Sequence, residues 1–181
     1  GSDIKEMQKD GLASLISNDR VAGWLSIEQT TKPVIAAVNG FALGAGFELA
    51  LMADFIVAGA DARFGLPEVK IGVMPGDGGT QRLTHLVGRS VALRMILTGD
   101  FIDADRALQA GFVTDVAEVG GALACAVELA ERIAANAPLS ILLAKKAVGA
   151  AGESSLQAGL AMESTGLQHL FSTADQKEGM R

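Results

Sequence analysis

Apolar residues follow two different patterns along the chain, and the two patterns predict different elements. Over residues 3–30, with a break near residues 17–19, and again after residue 121 they recur every three or four positions, which indicates amphipathic helices. Between these regions lie two continuous apolar runs, 34–38 and 55–58, which predict short strands covered on both faces. A strand-rich part followed by a helix-rich part predicts an α/β fold.

Glycines mark the ends of several further predicted elements. Helices over 80–87, 90–97 and 104–110 each stop before a glycine, the residue that most readily takes the left-handed conformation of a helix end. Residues 65–79 are dense in glycine and proline, which predicts a loop. The remaining predicted elements are a helix over 47–53, strands over 62–64 and 112–116, and helices over 122–136, 138–150 and 154–171.

Composition narrows the class of protein. The chain has 181 residues, enough for one domain with a core, and its formal net charge of -6 argues against a nucleic-acid or anionic-membrane partner. Its most apolar stretch, residues 33–60, is interrupted by Glu48 and Asp54, so we expect no membrane span. The single cysteine, Cys125, forms no internal disulfide, which fits a reducing compartment such as the cytoplasm or the mitochondrial matrix.

The segment Gly44-Ala45-Gly46 lies between a predicted strand and a predicted helix. Backbone N–H groups at a helix start have no partner within the helix and lie at the positive end of its dipole, so they can stabilise an oxyanion or a phosphate. Glycines that serve only close packing would give the same spacing. On its own, the segment therefore leaves both interpretations open.

Two carboxylates stand in otherwise apolar, glycine-rich surroundings. Glu48 is the only charged residue between Lys32 and Asp54, and Glu68 follows an apolar stretch. Taken singly, the first is explained as an acid in the first turn of a helix and the second as an exposed loop residue. Taken together beside an anion-stabilising turn, they predict an acid/base pair around a polarised carbonyl group.

Other kinds of site find less support in the residues. His85 and His169 lie on predicted helices without a metal-ligand spacing, so no metal site is predicted. Cys125 has no evident base, and no serine lies in a nucleophile motif, so we expect no covalent catalysis. Gly44-x-Gly46 resembles the start of a dinucleotide-binding fingerprint, but its third position is Leu49, which is too bulky for close helix–strand packing.

Three segments, 32–50, 62–68 and 75–83, occur in an order that resembles the enoyl-CoA hydratase/isomerase, or crotonase, family. Shorter matches at 97–100 and 110–113 extend the resemblance over nearly the whole chain. It implies a spiral of ββα units over residues 1–120 and a helical oligomerisation region over 121–181. It also implies that the chain begins within the family's first oxyanion segment, after the N-terminal strands, and stops before the last C-terminal helix.

The resemblance also implies which residues form the site. Family members bind acyl-CoA thioesters and polarise the thioester carbonyl with two backbone N–H groups, which correspond to Ala45 and Ser2. The two carboxylates of the hydratase subgroup correspond to Glu48 and Glu68. The implied substrate-binding residues are Ser2, Asp3, Ile4, Lys5, Gly44, Ala45 and Gly76.

The implied reaction is the reversible syn addition of water to a trans-2-enoyl-CoA, giving a 3-hydroxyacyl-CoA in fatty-acid or related acyl-CoA degradation. No metal or separate cofactor is required, because CoA is part of the substrate, and the implied assembly is a homotrimer or a dimer of trimers. An enoyl-CoA isomerase remains an alternative, since isomerases often have an acid near Gly76, and here Asp77 follows it. A non-catalytic acyl-CoA-binding subunit is the other alternative.

Overall fold

The structure, a computed structural model, describes residues 4–11 and 20–181 of the chain. Helices α1 (Ile4–Asp10) and α2 (Arg20–Glu28) come first, and the break predicted near residues 17–19 lies outside the described residues. Contacts divide the chain into two units. The first comprises the chain up to Thr30 and Val34–Val127, and the second comprises Thr31–Pro33 and Glu128–Arg181.

The first unit holds the strands and most of the short helices that the structure describes. In chain order after α2 these are β1 (Ile35–Val38), β2 (Phe41–Leu43), α3 (Ala45–Ala50), β3 (Phe55–Gly59), β4 (Arg63–Gly65), a 3₁₀ helix (Pro67–Ile71), α4 (Gly79–Thr98), β5 (Ile102–Asp103), α5 (Ala104–Ala110) and β6 (Asp115–Ala117). Helix α6 (Ala122–Ala134) follows and runs on into the second unit.

The strands form two small sheets, in which strands of successive ββα units pair with one another. In one sheet β1 pairs with β3 and β3 with β6, all in parallel. In the other, β2 pairs in parallel with β4, and β4 pairs in antiparallel with β5. The connection from β1 to β3 passes through β2 and α3, so the first and second strands of successive ββα units lie on one another. The predicted α/β spiral of ββα units is thus confirmed.

Three phenylalanines fix α3 against the rest of the core. Phe47 of α3, Phe64 of β4 and Phe112 just before β6 are buried, and their ring centroids lie 5.2–5.4 Å apart. Such aromatic pairs each stabilise a core by about 0.5–1.5 kcal/mol beyond their buried area. Because Glu48 follows Phe47 directly, this packing also fixes where Glu48 lies.

The prediction of strands covered on both faces is wrong for the first strand. Ala37 of β1 is exposed, while Ala36 and Val38 pack against the core. The physical reason is that successive side chains of a strand point to opposite faces, and only the face of β1 that carries Ala36 and Val38 packs against the core. The central strand β3 is buried from Ile56 to its end, as predicted.

Several boundaries and short elements differ from the sequence prediction. Helix α3 begins two residues earlier than expected, and the predicted loop over 65–79 contains the 3₁₀ helix, which Pro67 opens. The predicted helices over 80–87 and 90–97 form α4, and Gly88 interrupts its helical conformation with φ 75° and ψ 162°. Strands β2 and β5 were not predicted, because two or three residues are too few to show a period.

The described second unit is helical, with α7 (Pro138–Ala151), α8 (Leu156–Leu170) and α9 (Ala174–Gly179). Helices α7 and α8 pack against each other, and Lys145 of α7 donates to the carbonyl oxygen of Lys32 at 2.9 Å. The helices over 138–150 and 154–171 are confirmed within two residues at each end, whereas α9 was not predicted. A division at residue 120 and an oligomerisation role for 121–181 stay predictions.

No helix in the described ranges is both long enough and apolar enough to cross a membrane.

Candidate active site

A sharp turn at Gly44 connects β2 to α3. Gly44 has φ 53° and ψ −131°, a conformation that residues with a side chain rarely adopt. Its N–H donates to the carbonyl oxygen of Gly65 at 3.0 Å, and its own carbonyl accepts from the N–H groups of Phe47 and Glu48. The N–H of the buried Ala45 therefore stands at the start of α3, where a helix supplies no acceptor for it.

Glu48 is buried in the first turn of α3, with 2% of its surface exposed. Its Oε1 accepts hydrogen bonds from the backbone N–H groups of Asp77, at 2.9 Å, and Gly79, at 2.8 Å. Hydrogen bonds from backbone N–H groups to a carboxylate are among the stronger ones in proteins. Its Oε2 has no hydrogen bond within the described chain, so one oxygen fixes the carboxylate and the other is left for a ligand.

Glu68 lies in the 3₁₀ helix and reaches the start of α3. Its Oε1 is 3.1 Å from the place that a Cβ atom on Gly44 would occupy. Burial raises the pKa of the Glu68 carboxyl, the negative charges of Glu48 and Asp77 raise it further, and a backbone hydrogen bond lowers it in part. Its Oε2 is buried without a hydrogen-bond partner in the described part of the protein. The protonated form of Glu68 is therefore favoured relative to an ordinary glutamate.

These two carboxyls and the Gly44 turn form the candidate site. An acid with a raised pKa beside a carboxylate held by two amides is an arrangement suited to proton transfer in both directions. Helix starts also stabilise negative charge on an oxygen. Among the described residues, no group of three histidine, cysteine, aspartate or glutamate side chains lies close enough together to hold a metal ion.

The family model described as enoyl-CoA hydratase/isomerase matches residues 1–181. This chain belongs to the enoyl-CoA hydratase/isomerase family. The family predicted from the three sequence segments is confirmed.

Similar proteins are known from bacteria and animals. The chain is 47% identical over 180 residues to the 2,3-dehydroadipyl-CoA hydratase of Escherichia coli K12, covering 99% of this chain and 71% of that protein. It is equally identical to the mitochondrial enoyl-CoA hydratase of Pongo abelii, of which it covers 62%. A crystal structure of an enoyl-CoA hydratase subunit from Geobacillus kaustophilus HTA426 superimposes with a TM-score of 0.94 at 46% identity, covering 99% of this chain and 70% of that one. The chain thus spans roughly two thirds of the length of these relatives.

In this member of the hydratase/isomerase family, four of the residues predicted for the site lie together. They are Gly44, Ala45, Glu48 and Glu68. Gly76 is exposed in the loop that supplies the Asp77 N–H to Glu48, and the space beside its Cα is open.

The outcome is different for the N-terminal residues that were predicted to bind substrate. Ile4 and Lys5 are exposed in α1 and take no part in the hydrogen bonds of Glu48, and Ser2 and Asp3 lie outside the described residues. The assignment of these four residues to substrate binding stays a prediction.

Sequence reasoning missed the two backbone donors that hold Glu48. The sequence drew attention to Asp77 only as the acid that follows Gly76, and the contribution of its N–H leaves no mark in a side-chain pattern. The run Gly76-Asp77-Gly78-Gly79 did carry a signal, since dense glycine indicates close approach of the backbone to another group. At Gly79 this approach is real, because a Cβ atom there would lie 3.0 Å from Oε1 of Glu48.

Proposed function

We propose that this family member is an enoyl-CoA hydratase that adds water reversibly, in syn fashion, to a trans-2-enoyl-CoA and gives a 3-hydroxyacyl-CoA. The observation that carries the proposal is that Glu68 lies beside the turn at Gly44 and is near enough to Glu48 for the charge of Glu48 to raise its pKa. Relatives at 47% identity are named hydratases of enoyl-CoA thioesters, which supports the same chemistry here.

In the proposed reaction, the N–H of Ala45 donates to the thioester oxygen. Polarising that carbonyl makes C3 of the enoyl group electrophilic and stabilises the enolate charge that forms when water adds. One such donor contributes about 3–4 kcal/mol to transition-state stabilisation. The second donor of the proposal is the N–H of Ser2, from the family resemblance.

The two carboxyls divide the proton transfers. Glu48, fixed through Oε1, orients a water molecule with its free oxygen and removes one proton, while the water oxygen bonds to C3. Glu68 contacts the same water and delivers a proton to C2, which requires its protonated form, and its raised pKa favours that form. The cycle closes when the proton on Glu48 is released and Glu68 takes up another.

The proposal extends to the substrate, the compartment and the assembly. The substrate is an acyl-CoA, and the segment 2–5 with Gly44, Ala45 and Gly76 binds it, without a metal or separate cofactor. The protein works in a reducing compartment as a homotrimer or a dimer of trimers. Support for these points comes from the family resemblance and from the single cysteine.

The test is hydration of crotonyl-CoA, followed by the loss of absorbance of the conjugated thioester. We expect Glu48→Gln and Glu68→Gln each to lower kcat by about 10²- to 10⁴-fold, the usual contribution of a general acid or base. Glu128→Gln is the matched control, because Glu128 is an exposed carboxylate on α6. Wild-type turnover by Glu68→Gln would show that Glu68 is not the proton donor.

The isomerase alternative rests on one observation, the negative charge of Asp77 close enough to Glu68 to raise its pKa. Measuring hydration and double-bond migration on one preparation, with acyl chains of increasing length, separates the two activities. Migration without hydration would support an isomerase. Binding of CoA without either reaction would support a non-catalytic subunit, and saturable binding of NAD would support a dinucleotide site.

A further inference from the structure

We propose that Arg82 is a positioning residue for Glu48, an inference that rests on the proposed function. Arg82 lies in the first turns of α4 and its side chain folds back onto the loop before that helix. Its Nη1 donates to the carbonyl oxygen of Asp77 at 2.9 Å. Asp77 is also one of the two residues whose N–H groups hold Oε1 of Glu48. Arg82 is therefore linked to the carboxylate through a single backbone residue.

The peptide group that Arg82 binds lies between the two donors to Glu48. The N–H of Asp77 precedes it and the N–H of Gly79 follows it, and both reach the same oxygen, at 2.9 and 2.8 Å. A rotation about either bond that flanks this planar peptide, unless the other bond compensates, would turn one N–H group relative to the other, so that both could no longer point at the same oxygen. By fixing the carbonyl of Asp77, Arg82 limits that rotation and so keeps both donors directed at Glu48.

The guanidinium of Arg82 is itself fixed from the other side by the last residue of α2. Its Nε donates to Oε1 of Glu28 at 2.6 Å, and Nη2 pairs with the same oxygen. The two side chains are 26% and 33% exposed, and ion pairs at such places contribute little to folding free energy. We therefore assign the pair a geometric role. The planar guanidinium serves Glu28 and Asp77 at once, which a lysine ammonium, with no fixed fork, does not reproduce.

Gly78 provides the space for this arrangement. It has φ 107°, and a Cβ atom built on it would lie 1.6 Å from Nη1 of Arg82. No side chain fits there while the guanidinium occupies its place. The glycine at 78 and the arginine at 82 thus form a matched pair, and the hydrogen bonds of Arg82 reach Glu28 and a backbone carbonyl rather than Glu48 or Glu68.

The first test measures the backbone donors directly, by amide hydrogen exchange of the full chain. In Arg82→Gln we expect the N–H groups of Asp77 and Gly79 to exchange about tenfold faster than in the wild type, because the loop opens more often. The N–H of Thr114, bonded to the carbonyl of Ile56 at 2.9 Å, serves as the internal reference and stays unchanged. Arg94→Gln, an exposed arginine on the same helix, is the control. Unchanged exchange at Asp77 and Gly79 in Arg82→Gln would overturn the proposal.

Kinetics on the same variants separate positioning from binding. We expect kcat for crotonyl-CoA hydration to fall about tenfold in Arg82→Gln while KM changes less than about twofold, since no group that touches the substrate is removed. Arg82→Lys keeps the charge and one donor group, so its kcat should lie between the kcat of Arg82→Gln and that of the wild type. Equal kcat in Arg82→Gln and the wild type would contradict the positioning role.

Glu28→Gln separates the effects of the two contacts of Arg82, one with Glu28 and the other with the carbonyl of Asp77. It weakens the link to α2 but keeps the bond from Arg82 to Asp77, so we expect exchange and kcat near those of the wild type. If Glu28→Gln speeds exchange at Asp77 and Gly79 as much as Arg82→Gln does, docking of α2 controls the loop and the proposal is wrong. If the wild type hydrates no enoyl-CoA, the proposed function fails, and the exchange measurement still decides whether Arg82 holds the loop.

Discussion

Glu68 combines a buried carboxyl oxygen with two acidic neighbours. Burial is the main cause of its raised pKa, and the charges of Glu48 and Asp77 add to it. A carboxyl whose pKa is higher in the folded than in the unfolded state binds its proton more tightly when folded. The stabilisation that this tighter proton binding gives the folded state is fully present below the ordinary glutamate pKa of 4.5 and is lost as pH rises through the raised pKa. An ionised Glu68 thus destabilises the fold.

Replacing the Glu68 carboxyl by an amide removes this pH-dependent loss of folding stability. We expect the Tm of Glu68→Gln minus the Tm of the wild type to be larger at about pH 8 than at about pH 4, because the variant lacks the charge that burial penalises. Any constant effect of the amide cancels in the comparison of the two pH values. Thermal unfolding across this range measures the difference, with Glu131→Gln, an exposed carboxylate on α6, as the control. A Tm difference that does not grow with pH would contradict the burial of the charged form.

The sequence indicated the two carboxylates but not what holds them. Glu48 and Glu68 were visible because they are charges in apolar, glycine-rich segments, which is rare without a role. The donors of Asp77 and Gly79 are backbone groups, present at every residue except proline, so no residue type marks them. Arg82 was inconspicuous for the same reason, since one of its partners is a carbonyl and the other is a glutamate 54 positions away.

At the scale of elements, the β2–α3 turn requires glycine at one position and tolerates a side chain two residues later. Gly44 has φ 53°, and an added Cβ would lie 3.1 Å from Oε1 of Glu68. Gly46 lies inside α3 with nothing within 4 Å of its Cβ position. Two glycines of one motif therefore have different physical roles.

Alanine substitution distinguishes the two glycines. We expect Gly44→Ala to lower the free energy of unfolding by about 1–3 kcal/mol, the cost of holding a residue with a Cβ atom in this positive-φ conformation. We expect Gly46→Ala to raise it by about 0.5–1 kcal/mol, because alanine loses less conformational freedom in a helix. Urea unfolding of both variants gives the comparison. Equal effects of the two substitutions would contradict the conformation assigned to Gly44.

Helix ends in this chain were easier to predict than its strands. Gly99 and Gly111 end α4 and α5 in the left-handed conformation, and Gly88 interrupts α4, as the glycine positions indicated. These signals are local, because one residue type determines the backbone conformation. Strands β2 and β5 instead depend on pairing with β4, which lies about 20 to 40 residues away in the chain. No local pattern specifies such a pairing.

At the scale of the whole molecule, α8 carries an apolar face that needs a partner to be buried. Four of its large residues, or those just after its end, are 53–79% exposed, and their spacing places them on one side of the helix: Leu156, Leu160, Leu167 and Phe171. A neighbouring side of α8 packs on α7, where a Cβ on Gly166 would lie 3.9 Å from Leu143. Contiguous exposed apolar surface of this kind typically marks an interface.

The proposed homotrimer or dimer of trimers would bury this face, and a charge at its centre tests the idea. By light scattering we expect a mass of three or six chains for the wild type and a lower mass for Leu160→Asp, because an unpaired carboxylate in an apolar contact costs several kcal/mol. Ala158→Asp is the matched control. It adds the same charge to an exposed position on the opposite side of α8, near the helix start, where negative charge is favourable, so its mass should equal that of the wild type. A monomeric wild type, or equal masses for Leu160→Asp and the wild type, would mean that this face of α8 does not assemble the protein.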